Sequence, residues 1–160
     1  MSTQKDYTPE EWKAISVAPF LAGLYVSMSD PSGLVGVAKE AMAVGRTIAE
    51  TGLTSSTEII KSLSEGFKAG GQRPEMPDIP KRDLTAARAA MAEHLQKATA
   101  VIAAKSPAEA DAYKTWLLAA AKKVAEAAKE GGFLGFGGTL VSDQEQAALE
   151  ELAGKLGVTA

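Results

Sequence analysis

The sequence contains no cysteine and only one histidine among its 160 residues. The absence of cysteine excludes disulfide bonds, thiolate metal ligands and a cysteine nucleophile. The single histidine, His94, lies beside an apolar helical stripe. Metal sites need several ligands, so we interpret His94 as a residue at the edge of the core. The first residues are polar and carry no apolar signal segment, so we expect a cytoplasmic protein.

Aromatic residues are also few, at 6% of the chain, and runs of β-branched residues are scarce, which favours helix over sheet. Alanine, the best helix former, supplies much of a hydrophobic fraction of 46%, the level of an ordinary globular domain. Seventeen basic and 20 acidic residues give a net charge of −3. Nucleic-acid binding requires clustered lysine and arginine, so we expect no nucleic-acid partner. The composition therefore predicts an all-α protein.

Helix starts are marked by four capping boxes, in which Ser or Thr is followed three residues later by Glu. They are Thr8–Glu11, Ser55–Glu58, Ser106–Glu109 and Ser142–Glu145. Asp30-Pro31 is a fifth start, because proline is favoured at the first helical position. Together with apolar residues at helical spacing, these signals predict six helices. Their expected ranges are about 9–29, 31–51, 56–69, 84–105, 107–130 and 143–156.

Apolar stripes along the last three predicted helices indicate which side chains point into the core. On the fourth helix the stripe comprises Leu84, Ala87, Met91, Leu95, Ala98 and Ile102. On the fifth it comprises Tyr113, Trp116, Leu117, Ala120, Val124 and Ala127. On the sixth it comprises Leu149, Leu152 and Leu156, and Gly157 is placed to end that helix.

The first predicted helix carries an uncharged stretch of 16 residues from Ala14 to Ser29. A helix needs about 20 apolar residues to span a bilayer, so we interpret this stretch as a buried core helix. Pro19 removes one backbone hydrogen bond, and we expect a kink or break there. A second interpretation extends the stretch to Ala38, giving 25 residues in which Asp30 is the only charge. Such a hairpin could enter a bilayer.

Residues 70–80, with the sequence GGQRPEMPDIP, contain three prolines and two glycines and cannot form a helix or a central strand. They predict a crossover or linker near 70–82. In one interpretation the chain is a single compact bundle of about five to six helices over residues 1–160. In the other, the linker joins two halves, 1–70 and 83–160. We favour the single bundle, because neither half alone supplies a large core.

The most unusual local sequence is GGFLGFGG at 131–138, in which five glycines surround Phe133, Leu134 and Phe136. A phosphate-binding loop would need a helix directly after the glycines and a nearby lysine, and the chain has neither here. One interpretation is a loop that plugs the end of the bundle. The other is a mobile apolar loop that docks a partner, a membrane surface or a second subunit.

The positions of several acidic residues are explained by predicted helix starts. Glu10, Glu11, Asp143 and Glu145 all lie in predicted first turns, where negative charge complements the helix dipole. No nucleophile is paired with a base in a recognisable pattern. We therefore expect a protein that is not an enzyme and binds no cofactor.

The last third of the chain resembles the TerB-like tellurite-resistance family. The resemblance rests on AKKVAEAAKEG at 121–131, the start at Ser142, Leu149, Leu152 and the KLG at 155–157. Those proteins are helical bundles associated with stress response and proposed metal binding through acidic loop residues. The resemblance implies Glu130, Asp143 and Glu145 as the matching acids, although the family has a short acidic loop where this chain has an apolar one. The chain as a whole also resembles small bacterial helical proteins, which implies no function.

Three functions remain open at this point. The first is a non-enzymatic helical binding or structural protein that self-associates or docks a protein partner, with Phe133, Leu134 and Phe136 as contact residues. The second is a metal-binding stress protein using Glu130, Asp143 and Glu145. The third is a peripheral membrane or lipid-binding protein.

Overall fold

The computed structural model describes residues 2–30, 41–69, 74–130 and 141–160, and within these ranges the chain forms helices and no strand. A short 3-10 helix, Gln4–Asp6, precedes six α-helices. These are α1 (Pro9–Ser27), α2 (Ala41–Gly52), α3 (Glu58–Lys68), α4 (Leu84–Lys105), α5 (Pro107–Glu130) and α6 (Asp143–Leu156). The predicted all-α bundle is confirmed. Residues 74–83 contain no helix, as the prolines predict, and the helix start at Asp30-Pro31 lies outside the described residues.

Two of the four predicted capping boxes form as expected. The Thr8 hydroxyl accepts from the N–H of Glu11, whose carboxylate accepts from the Thr8 N–H at 2.8 Å. Ser142 and Glu145 make the same reciprocal pair at the start of α6. That helix ends, as predicted, at a left-handed Gly157 with φ of 72°.

The other two predicted boxes are wrong. Helix α3 begins two residues later than the expected start, with Thr57 as its cap, and the Ser55 hydroxyl accepts from the Thr57 N–H instead. At the start of α5, the Ser106 N–H already donates to Ile102 of the preceding helix, so it is not available to Glu109. The Glu109 carboxylate accepts instead from Ser2. In both cases a group expected in the capping box forms its hydrogen bond with a different partner, which the Ser-x-x-Glu pattern does not reveal.

Helix α1 lies at the centre of the bundle, where it packs chiefly against α4 and α5. Most of its uncharged stretch is buried, as predicted for a core helix, because a helix that is largely apolar on all sides needs neighbours on most sides. Helices α2 and α3 pack against each other and against α5, whereas α6 contacts α1, α4 and α5. No helix in the described ranges is long and apolar enough to cross a membrane.

Pro19 lies inside α1 without ending the helix, which runs unbroken from Pro9 to Ser27. Proline has no N–H, so the carbonyl of Ile15, four residues earlier, loses its helical donor. The buried hydroxyl of Tyr113 on α5 donates to that carbonyl at 2.8 Å. Burial raises the pKa of Tyr113 well above its ordinary value, so the hydroxyl keeps its proton. A tertiary hydrogen bond thus replaces the local one.

The contacts along α1 fix the directions of its two main neighbours. Ile15 contacts Tyr113. Eight residues further along α1, Gly23 faces Val124, which also lies further along α5. Helices α1 and α5 therefore run parallel. A Cβ at Gly23 would lie 3.0 Å from a Val124 methyl, which shows how closely the two helices approach. Helix α4 runs antiparallel to α1, because its end, Lys105, pairs with Glu11.

The hydrophobic core draws on helices from both sides of the crossover. Its largest fully buried side chains include Ile15, Leu21 and Ile48 before the crossover, and Leu95 and Leu117 after it. The predicted inward residues of α6 are all buried. On α5 five of the six are buried and Ala127 is half-buried.

The prediction for Leu84 is wrong, because this side chain is 56% exposed. The rest of its stripe on α4, from Ala87 to Ile102, is buried. Leu84 is the first residue of α4 and opens onto a surface cleft that Met28 and Ser29 also line. Periodicity identifies the face of a helix, but it does not show how far the neighbouring helices extend along it.

Candidate binding cleft

The residues predicted to dock a partner, Phe133, Leu134 and Phe136, lie outside the described part of the chain, as does the side chain of Glu130. Of the acids implied by the family resemblance, Asp143 and Glu145 are described. Glu145 is fully buried, and its carboxylate caps α6 by accepting from the Ser142 N–H at 2.9 Å. Among the described residues no group of three His, Asp or Glu side chains is arranged to hold a metal ion. His94 is half-buried at the edge of the core.

A cleft of about 710 Å³ lies between the first half of α1, one face of α3 and the crossover. It was not predicted from the sequence. Its apolar lining consists of Pro9, Trp12, Leu63, Phe67 and Pro74. Its polar lining consists of Gln4, Lys13, Ser16, Ser62 and Glu75.

Two helical stripes that face each other build the walls of this cleft. On α1, the lining residues recur at helical spacing from Pro9 through Trp12 to Ser16. On α3, Leu63 and Phe67 lie four residues apart and so share one face. Gly66 lies beside them, and a Cβ added there would meet nothing within 4 Å, so the wall is open at that position.

Both aromatic walls are held by further aromatic contacts. The ring of Phe67 meets Phe20 of α1 edge to face, with ring centres 5.1 Å apart. The ring of Trp12 packs on Tyr7 with ring centres 6.0 Å apart. Aromatic pairs of this geometry stabilise their arrangement beyond the burial of area alone. Trp12 and Phe67 are nevertheless only half-buried, so each presents a surface to the cleft.

Among the described residues, the charged side chains that line the cleft are one lysine and one glutamate. Lys13 Nζ on α1 lies 2.6 Å from Glu75 Oε2 on the crossover, and this hydrogen bond lowers the pKa of the Glu75 carboxyl. The two side chains remain 50% and 79% exposed, so the pair marks the rim of the cleft rather than its floor. The described lining residues therefore carry balanced charges, and the two aromatic walls offer an apolar group a surface to contact.

A second cleft, of about 460 Å³, carries a polar network that joins three helices. The guanidinium of Arg88 on α4 lies 4.4 Å from the ring centre of Tyr25 on α1 and 3.0 Å from the carboxylate of Glu151 on α6. Burial and a hydrogen bond to Glu151 raise the pKa of Tyr25 to about 12. The hydrogen bond from Tyr25, with Arg88 and Lys155 nearby, lowers the pKa of Glu151. The three side chains pair with one another, but the buried Nε of Arg88 has no hydrogen-bond partner among the described residues.

A cluster of hydroxyl groups lies at the other end of the bundle from the second cleft, where α1 begins and α4 ends. The Tyr7 hydroxyl lies 3.0 Å from both the Ser2 hydroxyl and the Ser106 hydroxyl, and Ser2 also donates to the Glu109 carboxylate. The cluster joins the start of the chain to the α4–α5 junction. None of the described side chains that make hydrogen bonds in this cluster is an imidazole or an amine, the usual bases of a nucleophilic serine.

Comparisons of the chain with protein-family models, with curated proteins and with solved structures find no significant match in any of the three. The family resemblance of the last third therefore stays a prediction.

Proposed function

We propose that the chain is a non-enzymatic, cytoplasmic helical binding protein that docks an apolar segment of a protein partner. The observation that supports this function is the cleft walled by Trp12 and Phe67. Its volume lies within the range of about 300–1,000 Å³ that ligand sites occupy.

The lining of the cleft matches the chemistry of protein interfaces. Aromatic residues are enriched at the centres of interfaces, and charged residues are depleted there. Here the aromatic rings line the cleft. The charged lining residues in the described part of the chain, Lys13 and Glu75, pair with each other at its rim. An apolar side chain that enters would be removed from water without displacing a charge. The gain in free energy is about 25 cal/mol for each Å² of apolar surface buried.

The predicted contacts of Phe133, Leu134 and Phe136 would add a second docking surface. The metal-binding function through Glu130, Asp143 and Glu145 and the peripheral membrane function stay predictions from the sequence, and no observation in the described residues favours either.

Site-specific photo-crosslinking in the native host tests the proposed cleft. A photoreactive phenylalanine analogue at Ser62 faces the cleft, and the same analogue at the exposed Glu93 of α4 is the matched control. We expect protein adducts from position 62 that are absent from position 93. Phe67→Ser in the same chain should abolish them, because it removes one aromatic wall. Equal adducts at both positions, or none at position 62, would contradict the proposal.

A further inference from the structure

The second cleft brings an exposed apolar side chain next to charged ones. Leu84 lines this cleft and is 56% exposed, and within the described ranges only Met76 is a comparably exposed large hydrophobic residue. Met28 and Ala89 continue the apolar part of the lining. An aliphatic group that enters the cleft can cover Leu84 and remove it from water, which is favourable.

The charged side chains of the same cleft leave a surplus of positive charge. Those in the described part of its lining are two cations, Arg88 and Lys155, and one anion, Glu151. The Glu151 carboxylate faces both cations, at 3.0 Å from Arg88 Nη2 and at 3.8 Å from Lys155 Nζ. Because one carboxylate faces two cations, a second anionic group placed beside them is attracted.

Both cations also keep donors for a further acceptor. Arg88 donates to Glu151 through Nη2, and its buried Nε has no partner among the residues that the structure describes. The 3.8 Å contact of Lys155 with Glu151 is an ion pair that is too long for a hydrogen bond. A guanidinium has five N–H donors and an ammonium three, so one carboxylate does not use them all. The two side chains are 27% and 39% exposed, so a ligand can reach them.

We propose that the second cleft binds a monocarboxylic acid with a short aliphatic chain. Arg88 and Lys155 hold the carboxylate, and the chain lies on Leu84 and Met28. An inorganic anion would leave Leu84 in water, and an alcohol or an amine would not balance the second cation. The site is separate from the 710 Å³ cleft, so the failure of either proposal leaves the other in place.

Titration of the isotope-labelled full chain with hexanoate, followed by NMR, tests this site. We expect shifts at the amides of residues 25–29, 84–89 and 151–155, which carry the lining. Hexanol and hexylammonium have the same chain without the negative charge, and each should bind about tenfold more weakly or worse. From butanoate to hexanoate the affinity should rise about fourfold for each added CH₂, because each one is buried against Leu84.

Substitutions at exposed residues separate the two parts of the site while they leave the core intact. Leu84→Ser should reduce the gain in affinity for each CH₂, and Lys155→Gln should reduce the preference for hexanoate over hexanol. Lys97→Gln, at an exposed lysine of α4 outside the cleft, is the matched control and should change neither. Glu151→Gln should strengthen hexanoate binding, because it removes the competing anion.

The absence of shifts at millimolar hexanoate, or hexanoate binding that is indifferent to both Leu84→Ser and Lys155→Gln, would overturn the proposal. The carboxyl end of a peptide shares the chemistry of a free aliphatic acid, and acetyl-leucine distinguishes the two sources. Weaker binding of acetyl-leucine than of hexanoate supports the free acid. Tighter binding would mean that the free acid is the wrong ligand and that the cleft holds a peptide end.

Discussion

At the scale of single residues, Tyr113 compensates for a proline. Its hydroxyl donates to the Ile15 carbonyl that Pro19 deprives of a helical partner. We expect Tyr113→Phe to lower the free energy of unfolding by about 1–3 kcal/mol, because it leaves a buried carbonyl without a donor. Urea unfolding followed by circular dichroism measures the loss.

A double-mutant cycle with Pro19→Ala shows whether the proline is the reason for that loss. Alanine restores an N–H at position 19, which can donate to Ile15 within the helix. Tyr113→Phe should therefore cost less in the Pro19→Ala background than in the wild type. Equal costs in the two backgrounds would mean that the hydroxyl and the proline act independently.

Glu151 should make part of the stability of the fold sensitive to acid. The Tyr25 hydroxyl, assisted by Arg88 and Lys155, holds the pKa of the folded Glu151 carboxyl below its ordinary value of 4.5. A pKa that is lower in the folded state stabilises the fold above the unfolded pKa, and the stabilisation disappears as the pH falls through the folded one. We expect Glu151→Gln to flatten the decline in stability below pH 4.5.

Unfolding of the wild type and of Glu151→Gln, measured at intervals from pH 7 to the acid limit of the fold, tests this expectation. Glu150→Gln is the matched control, because Glu150 is the neighbouring acid and hydrogen-bonds Gln146 instead. A wild-type slope retained in Glu151→Gln would show that other carboxylates cause the decline.

At the scale of helices, the stabilisation at a helix start depends on whether its cap makes a hydrogen bond. The Thr8 side chain accepts from the N–H of Glu11, whereas Thr57, the cap of α3, makes no such bond. We expect Thr8→Ala to cost about 1 kcal/mol and Thr57→Ala distinctly less. Thermal or urea unfolding of the two variants gives the comparison. Equal losses would show that the backbone conformation at the cap, rather than the bond, sets the cost.

Local signals at the ends of helices also decide which helix bounds could be predicted from the sequence. The bounds of α4, α5 and α6 agree with the predictions, because local signals mark them: Pro107 begins α5, and Ser142 and Gly157 flank α6. The start of α3 was wrong, because Ser55 and Thr57 both offer a cap and local pattern cannot choose between them. Nothing local shows that α1 and α3 face each other, so the cleft at Trp12 and Phe67 could not be predicted.

At the scale of the whole molecule, the crossover separates the chain into two stretches that share one hydrophobic cluster. Leu21 of α1 and Leu95 of α4 lie on opposite sides of the crossover, and both are fully buried. If the two stretches unfold together, Leu21→Ala and Leu95→Ala should each destabilise the whole chain by about 2–5 kcal/mol. Each variant should then lower the urea midpoint of unfolding by the same amount in both stretches.

The two tryptophans make this expectation measurable. Trp12 lies in the first stretch, and Trp116 lies in the second, where its Nε1 donates to Thr51 of the first. In Trp116→Phe only Trp12 fluoresces, and in Trp12→Phe only Trp116 does, so urea midpoints can be compared stretch by stretch. Coincident midpoints that move together with either leucine substitution follow from a shared core. If Leu21→Ala moved only the Trp12 midpoint and Leu95→Ala only that of Trp116, the two stretches would be independent folding units. Since α1 packs against both α4 and α5, removing its packing should expose both, and we therefore expect a single transition.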